Sequence, residues 1–180
     1  GLTANSEVIK KEVEAILPKH LLMPRYHEVD PPERIISATT DKDWRVFMLS
    51  LFGYKPEATR RLCPETSALL DKIPGVVQAF FSILDGGKSV PAHCGLYRGY
   101  LRYHLGLKVP QRNPPSIRIK DQRYVWKEGE AVFFDDSWEH QVYNDSDDIR
   151  VVLIVDVYRP MPFIPSQVNR LAGFYAKHTY

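Results

Sequence analysis

At 180 residues, with 44% hydrophobic and 26% charged residues, the chain fits one globular domain with a sizeable core. Its 24 basic and 22 acidic residues are mixed along the chain without a basic run, so nothing points to nucleic acid, and no apolar run approaches the roughly 20 residues of a membrane span. Cys63 and Cys94 have neither metal-finger nor redox spacing, which fits a reducing compartment and leaves a disulfide between them open. The expectation is a cytoplasmic protein, with membrane association left to a segment ahead of Gly1.

In chain order, Asn5 or Ser6 can cap a helix over 7–17, where Val8, Ile9, Val13, Ile16 and Leu17 form an apolar stripe that Pro18 ends. Residues 23–38 are proline-marked and read as a loop with at most one short strand. WRVFMLSLFG, at 44–53, fits both periodicities and is taken as a strand. Pro64 opens a second packing helix, which Pro74-Gly75 stops. From residue 76 the character changes to β-rich runs at 76–84, 101–109, 116–119, 123–126, 131–134 and 149–158, separated by turn residues. This spacing predicts a mainly β, antiparallel jelly roll over about residues 76–160, buttressed by the helical and loop segment 1–75. The tail from 161 to 180 lies outside, with a last helix over 165–175, and the whole chain is one domain.

The densest site signal is His93, Arg102 and His104 within one short stretch. Leu101, Tyr103, Leu105 and Leu107 alternate with Arg102, His104 and Lys108, so Arg102 and His104 share a strand face. That face reads either as an anion pocket or as an ordinary solvated surface. His140 closes the segment FFDDSWEH, where Asp135 and Asp136 look like turn residues or supports behind the site. Arg150 opens IRVVLIVDVY, apolar enough for a central strand, where an inward arginine needs an anion. A structural ion pair with Asp156 or Asp136 is the competing explanation.

His140 follows His93 by 47 positions and Arg150 follows ten later, so in a jelly roll the three can converge. Two imidazoles could then hold a divalent metal, with Arg150 meeting an acidic ligand deeper inside. Such sites commonly add a carboxylate two residues after the first histidine, and here that residue is Gly95. Cys94 points to the opposite strand face. A metal- or small-acid-binding cupin-like module without turnover is the alternative to an enzyme. A zinc-type site of His93, His104 and His140 is a third reading, which leaves both arginines without a role.

The segments CPETSALLDKIP, FFSILDGGKSVPAHCG, LRYHLGLKVP, YVWKEGEAVFFDDSWEHQVYN and RVVLIVDVYRP, in this order within residues 44–160, resemble the aspartyl/asparaginyl β-hydroxylase family of Fe(II)- and 2-oxoglutarate-dependent dioxygenases. That family includes a branch of bacterial lipid A acyl-chain hydroxylases. The resemblance implies a double-stranded β-helix, with Fe(II), 2-oxoglutarate and O2 as cofactor and cosubstrates. The substrate would be an Asp/Asn-type side chain, a lipid acyl chain or a small acid. It implies that His93 and His140 bind iron, that Arg150 with Ser82 pairs with the far carboxylate of 2-oxoglutarate, and that His104 lies near its metal-side carboxylate. It also implies that Arg102 is an active-site arginine close to cosubstrate and substrate, and it places Trp44 near the site. Gly95 resembles the branch acting on Asp and Asn. Tyr100 stands where that branch has a second arginine suited to an acidic side chain, and there the chain is more similar to the lipid branch.

Overall fold

The computed structural model describes residues 1–95 and 97–179, with the backbone alone at 176–179. Helix α1 (Ser6–Ile16) leads through a 3-10 turn to two one-turn helices, α2 (Tyr26–Val29) and α3 (Arg34–Ser37). Strand β1 (Trp44–Leu51) precedes α4 (Glu57–Leu62) and α5 (Pro64–Asp71). Eight strands then follow: β2 (Val76–Leu84), β3 (Val90–His93), β4 (Tyr100–Lys108), β5 (Ser116–Ile119), β6 (Gln122–Val125), β7 (Ala131–Phe134), β8 (His140–Tyr143) and β9 (Arg150–Tyr158). Helix α6 (Phe163–Thr179) closes the order.

The strands form two antiparallel sheets, one of order β1-β2-β9-β4-β7 and one of order β3-β8-β5-β6. From β2 to β5 and from β6 to β9 successive strands alternate between the sheets, as in a double-stranded β-helix. The large sheet is buried on both faces, because α1 and α5 cover its outside. Ile9, Val13, Leu70, Phe81, Leu105, Leu107, Leu153 and Val155 make that outer core. The inner core between the sheets holds Trp44, Val46, Phe80, Val90, Ile117, Trp126, Phe134, Val142, Val152 and Ile154. Glu12 of α1 ties the two buttress helices by accepting the backbone N–H of Glu65 and Thr66 at 2.8 Å each, satisfying donors that the start of α5 leaves open.

Double coverage decides a question the alternation in β4 left open. The strand face carrying Arg102 and His104 is the inside of the barrel, not a solvated surface; the two residues are 9% and 4% exposed. Several boundaries differ from expectation. Residues 23–38 contain α2 and α3 rather than a strand, apart from a single bridge from Arg25 to Arg45. The Glu28 side chain accepts the Arg25 N–H at 2.8 Å, and Pro31 and Pro32 sit in the first turn of a 3-10 helix, where a missing N–H costs nothing. Helix α4 and the four-residue strands β3 and β8 lie where the sequence pattern predicts no element. The last helix is longer than the 165–175 span. Both cysteines are free, Cys63 buried and Cys94 exposed, so no disulfide joins them.

Candidate active site

His93 ends β3 and His140 begins β8, and the two are direct cross-strand partners with ring centroids 4.2 Å apart. Each ring is fixed by its own strand: His93 Nδ1 lies 2.8 Å from the Pro91 carbonyl and His140 Nδ1 lies 2.8 Å from the Trp138 carbonyl. A carbonyl can only accept, so Nδ1 carries the proton and Nε2 keeps its lone pair, the tautomer that metal ligation needs. Burial, followed by the neighbouring His140, pushes His93 down to about 4, and burial lowers His140 as well. The pair is therefore neutral at physiological pH and suited to a divalent cation.

Among the described residues, no set of three His, Cys, Asp or Glu side chains is placed to hold a metal. The reason for Gly95 is steric. A Cβ there would lie 1.9 Å from Asp136 Oδ2, and the Gly95 N–H donates to the Asp136 carbonyl at 2.8 Å. The Asp136 carboxylate thus occupies the space that a side chain at residue 95 would need. Asp136 is 1% exposed and its Oδ1 lies 3.4 Å from His140 Nε2 and 2.6 Å from Arg102 Nη1, while Oδ2 accepts the Tyr100 hydroxyl at 3.1 Å. The Arg102 contact is an ion pair without hydrogen-bond alignment, since Oδ1 has no donor. Asp136 is thus more than a turn residue, and its position four residues before His140 was the available signal.

One cavity is lined by His93, His140, Arg102, His104, Ser82 and Arg150, with Trp44, Val90, Ile117, Val142 and Ile154 as its apolar wall. All six polar positions proposed from the sequence therefore meet in one place. They are not equivalent. Arg102 is opposite Asp156 in register and forms a bidentate pair with it, Nε to Oδ1 at 2.8 Å and Nη2 to Oδ2 at 2.9 Å; Gln78 donates to the same carboxylate at 2.5 Å. Asp136 meets the guanidinium on its remaining side.

Arg150 has no carboxylate within ion-pair distance among the described residues. Asp156 lies six residues further along the same strand, about 20 Å away at strand rise, and is out of its reach. The Arg150 guanidinium is 2% exposed, donates from Nη2 to Ser82 Oγ at 2.9 Å, and stacks over the Trp126 ring at 4.8 Å; its Nε has no partner. Burial alone pushes this arginine down to about 9. The Ser82 hydroxyl also accepts from Trp44 Nε1 at 2.9 Å, which leaves its own proton free to donate. Both ring nitrogens of His104 and Trp126 Nε1 are also buried without partners among the described residues. Burial, then the charges of Arg102 and Arg150, holds His104 well below its usual range. A buried cation beside several unmatched polar atoms is a costly arrangement unless an anionic ligand completes it.

A family model described as aspartyl/asparaginyl beta-hydroxylase matches residues 3–160. An ornithine lipid ester-linked acyl 2-hydroxylase of Rhizobium tropici is 43% identical over 154 residues, covering 85% of this chain and 54% of that protein. The human aspartyl/asparaginyl beta-hydroxylase is 37% identical over 123 residues, covering 66% of this chain and 16% of that protein. The chain thus spans about half the length of the first relative and a small part of the second. Among solved structures, a predicted oxalate decarboxylase of Thermotoga maritima is 18% identical with a TM-score of 0.40, covering 52% of this chain and 74% of its own. A cupin protein of Bacteroides fragilis is 15% identical with a TM-score of 0.40, covering 52% of this chain and 76% of its own. At such TM-scores the fold rests on the strand order itself.

Proposed function

This chain belongs to the aspartyl/asparaginyl β-hydroxylase family, and from that premise we propose that it is an Fe(II)- and 2-oxoglutarate-dependent dioxygenase acting on the acyl chain of a lipid. The observation that carries the reading is one cavity with two neutral imidazoles, Nε2 free, on one wall and a buried guanidinium without a carboxylate on another. The donors of the first suit a metal, and the charge of the second suits a carboxylate. Bound there, iron and 2-oxoglutarate supply the activation of dioxygen that places a hydroxyl on an unactivated carbon.

The chain's own residues prepare that chemistry. His93 and His140 present Nε2 to the metal, and two protein ligands leave more coordination positions for small molecules than three would. Arg150 and the Ser82 proton take the far carboxylate of 2-oxoglutarate, an anion in a dry site where charge-assisted hydrogen bonds are strong. His104, whose ring nitrogens are unmatched among the described residues, would be available to the metal-side carboxylate. Arg102, held by Asp136 and Asp156, acts as a rigid wall beside His140 rather than as an open cation.

Two features favour a lipid over a protein side chain. The lipid-hydroxylase relative matches more of this chain at higher identity than the human relative does. By the resemblance, Tyr100 stands where the branch acting on Asp and Asn has an arginine suited to an acidic side chain, and here its hydroxyl is directed to Asp136. Burial raises that phenol, keeping it a donor.

The test begins without substrate. Anaerobic titration of metal-free protein with Fe(II) and 2-oxoglutarate should give a visible metal-to-ligand charge-transfer band, absent in His93→Ala. No band in folded wild-type protein would move the reading to a cupin-like binding module without turnover. Succinate release with a detergent-dispersed ester-linked acyl lipid, compared with Asp- or Asn-containing peptides, then decides the substrate. Turnover of the peptides alone would refute the lipid assignment.

A further inference from the structure

Helix α6 carries an exposed apolar stripe that the site does not use. Ile164, Val168 and Leu171 follow helical spacing and are 75%, 63% and 56% exposed, with Phe163 beside them at 78%. The helix is seated on its other side. Asn169, 5% exposed, donates from Nδ2 to the Gly99 carbonyl at 2.6 Å and accepts the Tyr97 hydroxyl. A Cβ at Gly173 would lie 1.9 Å from the Tyr158 hydroxyl, so that glycine lets the helix rest directly on the end of β9. The apolar stripe is therefore presented outward by a fixed seat.

The seat leads to the site. Tyr97 and Gly99 belong to the link between His93 and Arg102. The Tyr97 and Tyr100 rings are 6.1 Å apart, and Tyr100 bonds Asp136 beside His140. Charge narrows what the stripe can meet. After Asp156 the sequence holds no Asp or Glu; Arg159 is neutralised by Asp135 at 2.6 Å, which leaves Arg170 and Lys177 as the cations of the segment. An outward apolar stripe on an acid-free, cationic segment matches an anionic bilayer surface, where apolar side chains enter the acyl boundary and cations meet phosphates.

We infer that α6 lies in the surface of an anionic membrane and holds the Tyr97–Tyr100 link, which reaches the site through Asp136, against the lipid. The choice of a bilayer as occupant rests in part on the acyl-lipid reading, but docking and turnover separate in the test. The full chain and Ile164→Glu/Leu171→Glu are sedimented with vesicles of equal parts phosphatidylcholine and phosphatidylglycerol and with phosphatidylcholine alone. Thermal melts verify that the variant is folded.

The wild type should bind the anionic vesicles in preference to the neutral ones. The variant should lose at least about tenfold in affinity, since two apolar side chains no longer leave water. It should also retain turnover of detergent-dispersed lipid while losing turnover of lipid in vesicles. Absent wild-type binding, or equal binding by wild type and variant, overturns the inference. Conversion of a dimer to a monomer by the substitutions, with vesicle binding unchanged, overturns it in favour of pairing between copies. Vesicle binding that depends on Ile164 and Leu171, with no turnover of dispersed lipid by either protein, supports the docking and refutes the lipid substrate.

Discussion

Two arginines line the same cavity on the same sheet and are satisfied in opposite ways. Arg102 is enclosed by Asp136 and Asp156, so its charge is balanced within the protein. Arg150 has a hydroxyl and an aromatic face, both neutral. The comparison separates a cation matched by carboxylates from one that is not, and on the proposed function the second is the one that takes the anion.

The largest expected effect breaks the structural side. Arg102→Ala leaves two buried carboxylates unpaired and should destabilise the fold by about 3–5 kcal/mol, measured by urea unfolding of the metal-free protein. Arg150→Ala removes a buried cation that meets no carboxylate among the described residues. Its unfolding midpoint should move little, while 2-oxoglutarate affinity, followed through the charge-transfer band, falls by about 2–5 kcal/mol, roughly 30-fold or more. A variant that loses stability and keeps 2-oxoglutarate affinity would reverse the assignment of the two arginines.

Ser82→Ala sharpens the same contrast with a smaller step. It removes one donor to the ligand and one acceptor for Arg150, so 2-oxoglutarate affinity should fall by about 1–2 kcal/mol. The smallest effect is on pH dependence. His93 is pushed down to about 4 by burial, and in the unfolded chain it titrates near its ordinary 6.5. In metal-free protein its contribution to stability is complete above 6.5 and is lost as pH falls through about 4, because the unfolded state binds the proton first. Glu33, which burial pushes up to about 7, runs the other way, contributing below 4.5 and losing that contribution as pH rises through 7. Melting curves of wild type and His93→Gln in chelator should therefore differ chiefly on the acid side, and parallel curves would remove His93 from that limb.

Much of this site was legible before any coordinates. The alternation of β4 correctly put Arg102 and His104 on one face, because side-chain direction in a strand follows from sequence alone. Whether that face was wet or dry could not follow, since it depends on which sheet closes over it. The histidines were found as a pair through spacing and resemblance, yet the strands that hold them were missed. Four polar-mixed residues such as HQVY carry too little periodicity to read as a strand.

Gly95 shows the same divide at one residue. In the sequence it is an absent ligand; in the fold it is the space that the Asp136 carboxylate requires. The competing explanation for Arg150, an ion pair with Asp156 or Asp136, does not hold: both carboxylates meet Arg102, since register places Asp156 opposite residue 102 and about six strand residues from Arg150. Residue types and local periodicity determined which groups could do chemistry and which strand faces they share. Only the tertiary structure decided which charge is neutralised by carboxylates and which meets only neutral groups among the described residues, because pairing across strands is a matter of register and distance, and neither is a local property of the chain.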